Sequence, residues 1–229
     1  MSPFKRDDDA NWQIDQTRAA GSLLGALVAI QLGAPIVDTL PGLNQLVGNI
    51  IVSVTYVAVL ATSTWVLAER KASQWIAVLL CAPPVVLIVL EYLAMHNNAD
   101  LFIGISILPV VAMAWWRIMS HLLRGRAVTV ASLIGTAAGF LLMSNLWAGL
   151  YALVMLDNPG AIHSADGSDT NFNDLIYFSM VTQTTLGYGD VVPISRLARA
   201  LASLQAFAGL FFMGVIVARF AGRLAIDDS

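Results

Sequence analysis

Long apolar runs separated by short polar links dominate this chain. A helix needs about 20 apolar residues to cross a bilayer, so each long run predicts a membrane span. The first runs from about Arg18 to Val37 and is softened near its end by Gly33 and Pro35. The second covers about Leu46 to Ala68 and stops at Glu69-Arg70-Lys71. The third, Gln74 to Met95, carries Pro83-Pro84 at mid-depth, where two missing backbone donors predict a kink. The fourth runs from Leu101 to about His121, with Pro109 as a further kink, and Arg124-Gly125-Arg126 marks the aqueous link to a fifth at about Thr129 to Leu156. A polar stretch, Asp157 to Asn173, follows. Asp174 to Thr184 is apolar but only half a membrane long, which predicts a re-entrant helix. The last span runs from about Leu197 to Leu224. The pattern is that of an all-α membrane protein: six transmembrane helices with a half-helix and a loop between the fifth and the sixth.

Composition supports this reading. Of 229 residues, 58% are hydrophobic and 12% charged, and the mean hydropathy of +0.74 lies outside the range of soluble domains. No basic patch suggests a nucleic acid partner. The single cysteine, Cys81, lies in an apolar run and excludes an internal disulfide. The polar start, with Lys5 and Arg6 ahead of Asp7, Asp8 and Asp9, lacks a small-residue cleavage site, so no signal peptide is expected. Lys and Arg are enriched in cytoplasmic links. On this topology Lys5, Arg6, Arg18, Arg70, Lys71, Arg117, Arg124, Arg126, Arg219 and Arg223 fall on one side, and only Arg196 and Arg199 on the other. Both termini are therefore expected in the cytoplasm of a cell-membrane protein. The outer face would carry Asp38, Asp100, Asp157, Asp166, Asp169, Asp174 and Asp190, a field that concentrates cations at the mouth.

The loop holds the chemistry. Thr182-Gln183-Thr184-Thr185-Leu186-Gly187-Tyr188-Gly189-Asp190 suits the display of backbone oxygen, because Gly187 and Gly189 permit angles that a Cβ resists. This run resembles the selectivity filter of the tetrameric potassium channels, with Leu186 where the commonest form has valine. The resemblance implies a K⁺-selective channel, passive and without enzymatic chemistry. It implies that the carbonyls of Thr185, Leu186, Gly187 and Tyr188, with the Thr185 hydroxyl, bind K⁺ ions in the filter, and that Gly189 completes it. A ring needs several copies and the chain carries one, so the family's homotetramer is expected. Apart from K⁺ no cofactor is implied; membrane lipids are the other expected partner. Filter support is expected from Tyr177, Phe178, Val181, Thr184 and Asp190. Tyr177 and Phe178 would form an aromatic cuff around Tyr188, with Tyr177 bonded to Asp190. Val181 stands where some relatives place a buried acid. Gly209 matches the family's hinge glycine and Gly214 follows; both could bend an inner gate or simply permit close helix packing. Gly135 and Gly139 form a G-x-x-x-G pair that reads as packing.

By number, the first four spans resemble a voltage-sensor domain. The organisation is then a cytoplasmic segment 1–17, a four-helix domain 18–126, a pore domain 127–224 and a short tail 225–229. The fourth span lacks the row of intramembrane arginines a sensor needs, since Leu101 to Trp116 carries no charge and Arg117 sits at the inner end. Little voltage dependence is expected. Glu91 is an intramembrane acid, with a functional role or a snorkelling position open to it. Trp65, Trp75, Trp115, Trp116 and Trp147 read as interfacial anchors. His96, His121 and His163 have no metal spacing. Two other readings fit the pattern: a weakly selective cation channel, and a sensor or receptor subunit whose pore needs a partner to conduct.

Overall fold

The computed structural model describes residues 17–18, 20–29, 31–32, 82, 86, 99–124 and 129–227. The expected second span and, apart from Ala82 and Val86, the expected third lie outside them, with Pro83-Pro84, Cys81, Glu69, Glu91, Trp65 and Trp75. Over the described residues the protein is mostly helical. A short apolar helix α1 (Ala20–Ala29) is followed by α2 (Ala99–Arg124), α3 (Val130–Asp157), α4 (Phe172–Gln183) and α5 (Arg196–Asp227). Two short strands, β1 (Ile162–Ser164) and β2 (Val191–Pro193), flank α4 and the loop after it.

Local chemistry sets the starts of α3 and α5. Thr129 caps α3: its hydroxyl accepts from the Ser132 amide at 3.2 Å, and Ser132 Oγ accepts from the Thr129 amide at 2.9 Å. Ser195 begins α5 in the same way, its hydroxyl accepting from the Ala198 amide at 3.1 Å. Pro109 lies inside α2, which continues on both sides of it. Among the described helices, α3 and α5 are long and apolar enough to cross a membrane.

Two apolar clusters hold these elements. The first joins Leu23 and Leu27 of α1, Val110, Val111 and Ala114 of α2, Leu142 of α3 and Phe212 of α5. Gly139 lets α2 and α3 approach: a Cβ there would lie 2.8 Å from Met119 Cε, and one at Gly135 would lie 3.8 Å from Leu122 Cδ2. The G-x-x-x-G pair therefore packs against α2. Trp115 and Trp147, expected as interfacial anchors, are partly buried against this cluster, whereas Trp116 is exposed. The second cluster gathers Ala148, Tyr151 and Ala152 of α3 with Ile162, Leu175, Phe178 and Val191, and so fastens α4 to its surroundings.

Within this mostly helical architecture one short strand pair was not expected. β1 and β2 pair antiparallel, with Ile162 opposite Pro193 and Ser164 opposite Val191. Three-residue strands are too short to show an alternating pattern, and their partners lie far apart in sequence. The polar stretch before α4 is thus stitched to the segment after the loop. The Ala161 carbonyl accepts from the amides of Ile194 and Ser195 at 2.8 and 3.1 Å.

Candidate functional site

The half-helix begins earlier than its apolar run suggests. Asn171 caps it, its side-chain oxygen accepting from the amides of Asn173 and Asp174 at 2.8 and 3.1 Å, while Asp174 Oδ2 accepts from the Asn171 amide at 2.9 Å. This closed capping box adds Phe172 and Asn173 to the helix. Asp174, counted among the mouth carboxylates, also sits in the first turn, where the helix dipole favours a negative charge.

The other end of α4 turns directly into the loop. Thr184 is the C-cap, and its hydroxyl donates back to the Met180 carbonyl at 2.8 Å. Beyond it, the Thr185 amide bonds the Thr182 carbonyl and the Leu186 amide the Val181 carbonyl, both at 3.0 Å. That pair of bonds is a Schellman ending, in which the residue after the cap adopts the left-handed region and is usually glycine. Here it is Thr185, at φ 61°. For a β-branched residue this is a costly conformation, on the order of 1–3 kcal/mol, sustained only by the surrounding contacts.

From Thr185 onward the sign of φ alternates. It is +61° at Thr185, +54° at Gly187 and +81° at Gly189, and Leu186 and Tyr188 between them are not positive. The positive angles were expected at the two glycines; Thr185 extends the alternation by one residue. A regular strand points successive carbonyls to opposite sides, whereas alternating handedness gathers successive peptide groups on one side. Leu186 and Tyr188 are 59% and 68% exposed in the single chain.

Behind the loop, the Tyr177 hydroxyl donates to Asp190 Oδ2 at 2.6 Å, and Asp190 Oδ1 accepts from the Val191 amide at 3.0 Å. The Asp190 carbonyl accepts from the Ala165 amide at 2.6 Å, so the same residue also holds the outer stretch. The bond from Tyr177, helped by the amides of Asp190 and Val191, keeps the Asp190 carboxyl below its ordinary value of 3.8. Asp166 is drawn down to about 2 by the hydroxyl and amide of Ser168. Both carboxyls are therefore ionised at neutral pH.

Phe178 departs from the expected cuff. It is buried, and its ring meets Tyr151 edge-on at 4.9 Å, on the α3 side of the half-helix. Neighbouring residues on a helix point about 100° apart, so a Tyr177 that faces Asp190 turns Phe178 away from the loop. Val181 is buried at 8% exposure.

Gly209 lies where α5 crosses the end of α4. A Cβ there would run into the Gln183 carbonyl oxygen and lie 2.9 Å from Gln183 Cγ, so close packing is what this glycine provides. Gly214 has nothing within 4 Å of its own Cβ position. Gln183 was not singled out from sequence. It is 1% exposed and donates from Nε2 to the Phe140 carbonyl at 2.8 Å, holding the residue two before Thr185 against α3. Its signal was a long polar side chain at a helix end in an apolar setting, where it must find a partner.

Comparison with known proteins bears on the same segment. Residues 127–225 match the family model described as "Ion channel". Two pore potassium channel b of rice (Oryza sativa subsp. japonica) is 36% identical over 86 residues, covering 38% of this chain and 24% of its own. The calcium-gated potassium channel TvoK of Thermoplasma volcanium is 43% identical over 54 residues, 24% of this chain and 16% of its own. The inward rectifier potassium channel Kirbac3.1 of Paramagnetospirillum magnetotacticum is 36% identical over 86 residues, 36% of this chain and 28% of its own. The chain thus spans less than a third of the length of each of these relatives. No solved structure matches it significantly.

Two outcomes follow. Tyr177→Phe removes the strongest influence on Asp190, so its pKa should rise toward 3.8, read by carboxyl NMR titration; a depressed folded-state pKa adds stability that is present above the unfolded-state value and lost as pH falls through the folded one, so the wild type should lose its stability advantage over the variant on acidification. Gly209→Ala should destabilise the protein by about 1–3 kcal/mol through overpacking, and Gly214→Ala should change stability by no more than about 1 kcal/mol, in thermal unfolding of the detergent-solubilised protein.

Proposed function

We propose that this protein is a potassium-selective channel that conducts K⁺ passively through a central pore formed by four copies of the chain. The observation that carries the reading is the alternation of φ sign from Thr185 to Gly189 at the end of a half-membrane helix. A K⁺ ion entering a narrow pore must exchange its waters for oxygens at similar distance, and rings of backbone carbonyls supply them. In this reading the carbonyls of Thr185, Leu186, Gly187 and Tyr188, with the Thr185 hydroxyl, are the ligands, and Gly189 frees the outer end. The Tyr177–Asp190 bond braces the loop from behind, while Val181 and Thr184 set its inner corner.

The match of residues 127–225 to the ion-channel model supports the reading, as do the printed names of the relatives, which are potassium channels. One chain supplies one wall, and closed cyclic symmetry supplies the rest. Leu204, Phe207, Leu210 and Phe211 of α5 are more than half exposed in the single chain, an apolar surface suited to neighbouring copies or lipid. The C-terminal end of each α4 carries roughly −0.5 of an elementary charge and would favour a cation below the filter. Of the two hinge candidates, Gly214 is the one that intrachain packing leaves free to bend. The uncharged stretch from Leu101 to Trp116 makes the channel nearly insensitive to voltage.

The test is single-channel recording of purified protein in a planar bilayer, with K⁺ on one side and Na⁺ on the other. The reversal potential should be set by K⁺ and the open probability should barely change with voltage; a reversal indifferent to the K⁺ gradient would overturn the proposal. Gly187→Ala should abolish selectivity or conduction. Open space surrounds its Cβ position, so the obstacle is the backbone angle itself, roughly 1–2 kcal/mol per subunit. Arg117→Gln should leave the voltage dependence of opening unchanged, read as the slope of the conductance–voltage curve.

A further inference from the structure

Buried polar side chains join three helices behind the loop. Tyr151 of α3, Ser179 of α4 and Gln205 of α5 are each 0% exposed, as is Ser144 of α3. The Tyr151 hydroxyl donates to Gln205 Oε1 at 2.7 Å. Gln205 Nε2 donates to the Ser179 carbonyl at 2.8 Å and to Ser179 Oγ at 2.6 Å. Ser179 Oγ in turn donates to the Ser144 carbonyl at 2.5 Å.

The relay has one consistent direction. A backbone carbonyl only accepts, so the Gln205 amide must turn its nitrogen to Ser179 and its oxygen to Tyr151. Each donor hydrogen then has an acceptor. The contact also has a register: Ser179 and Gln183 are one helical turn apart on α4, and they meet Gln205 and Gly209, one turn apart on α5. Apolar side chains alone would let two helices slide at little cost. A satisfied polar group buried in an apolar contact resists sliding, because the displaced state leaves donors and acceptors bare.

We infer that Tyr151, Ser179 and Gln205 form a positioning clamp that ties α5 to the filter through α4, so that displacement of the inner helix is carried to Thr185. Ser179 precedes Thr185 by less than two helical turns, and the second contact, Gln183 on Gly209, lies between them. Inner-helix position and filter shape then change together. The effect on current rests on the channel reading above; the mechanical linkage does not.

The experiment uses full-length Gln205→Leu, Tyr151→Phe and the double variant. In bilayer recordings with K⁺, Tyr151→Phe should shorten open bursts several-fold and Gln205→Leu by about tenfold or more, in line with one or more buried bonds lost. The double variant should be no worse than Gln205→Leu alone, because Tyr151 acts through Gln205; independent packing defects would add. Wild-type bursts in both single variants, or additive effects, would overturn the clamp. Hydrogen exchange of the amides of residues 180–186 reads the linkage without any current: it should accelerate in Gln205→Leu, and in Tyr151→Phe should the first variant not fold. Unchanged exchange there would overturn the clamp even in a protein that proved not to be a channel, whereas faster exchange in a protein whose current reverses independently of the K⁺ gradient would uphold it and reject the channel reading.

Discussion

Backbone that is neither helix nor strand is expensive to keep away from water, since its amides and carbonyls lack internal partners. Much of the described structure can be understood as the means of holding one such run, Thr185 to Gly189. The half-helix α4 delivers it through a Schellman turn, Asp190 anchors its far end to Tyr177 and Ala165, and the β1–β2 pair joins the segment before α4 to the one after the loop. Each device satisfies a backbone or side-chain group at the loop's edge and leaves the loop interior uncommitted.

Thr185 shows how the constraints combine. A glycine would enter the left-handed region there without strain, yet a threonine occupies it. The surrounding contacts must sustain the difference, and they do so at two levels of α4: Ser179 through Gln205 and Ser144, and Gln183 through Phe140 and Gly209. Rigidity of the half-helix and strain in the first residue of the loop are thus parts of one arrangement. In the proposed channel the hydroxyl retained at Thr185 is the gain, as an additional oxygen for the ion.

The site was legible from sequence to the extent that it depends on local chemistry. Gly187 and Gly189 announce positive angles, and both have them. Tyr177 was the expected partner of Asp190 because Phe178 has no polar group, and the two are bonded. Phe178 was expected beside Tyr177 in the same cuff, yet neighbouring helix positions point about 100° apart, so it packs on Tyr151 instead. Gln183, Gln205, Ser179 and Tyr151 stayed invisible because a lone polar residue in an apolar run gains meaning only from its partner, and Tyr151 and Gln205 are 54 residues apart.

By itself the sequence determined that the described chain is mostly helical, where α3 and α5 begin, that a half-membrane helix precedes a glycine-rich loop, and which two glycines bend that loop. These follow from apolar run length and the missing Cβ, both properties of a few consecutive residues. Tertiary structure decided the rest: that the outer stretch pairs as a strand with the segment after the loop, that Gly209 serves as a crossing point for Gln183, and that Thr185 carries a left-handed angle. Those outcomes depend on which distant backbone and side-chain groups come within hydrogen-bond or van der Waals reach, and only packing brings them there.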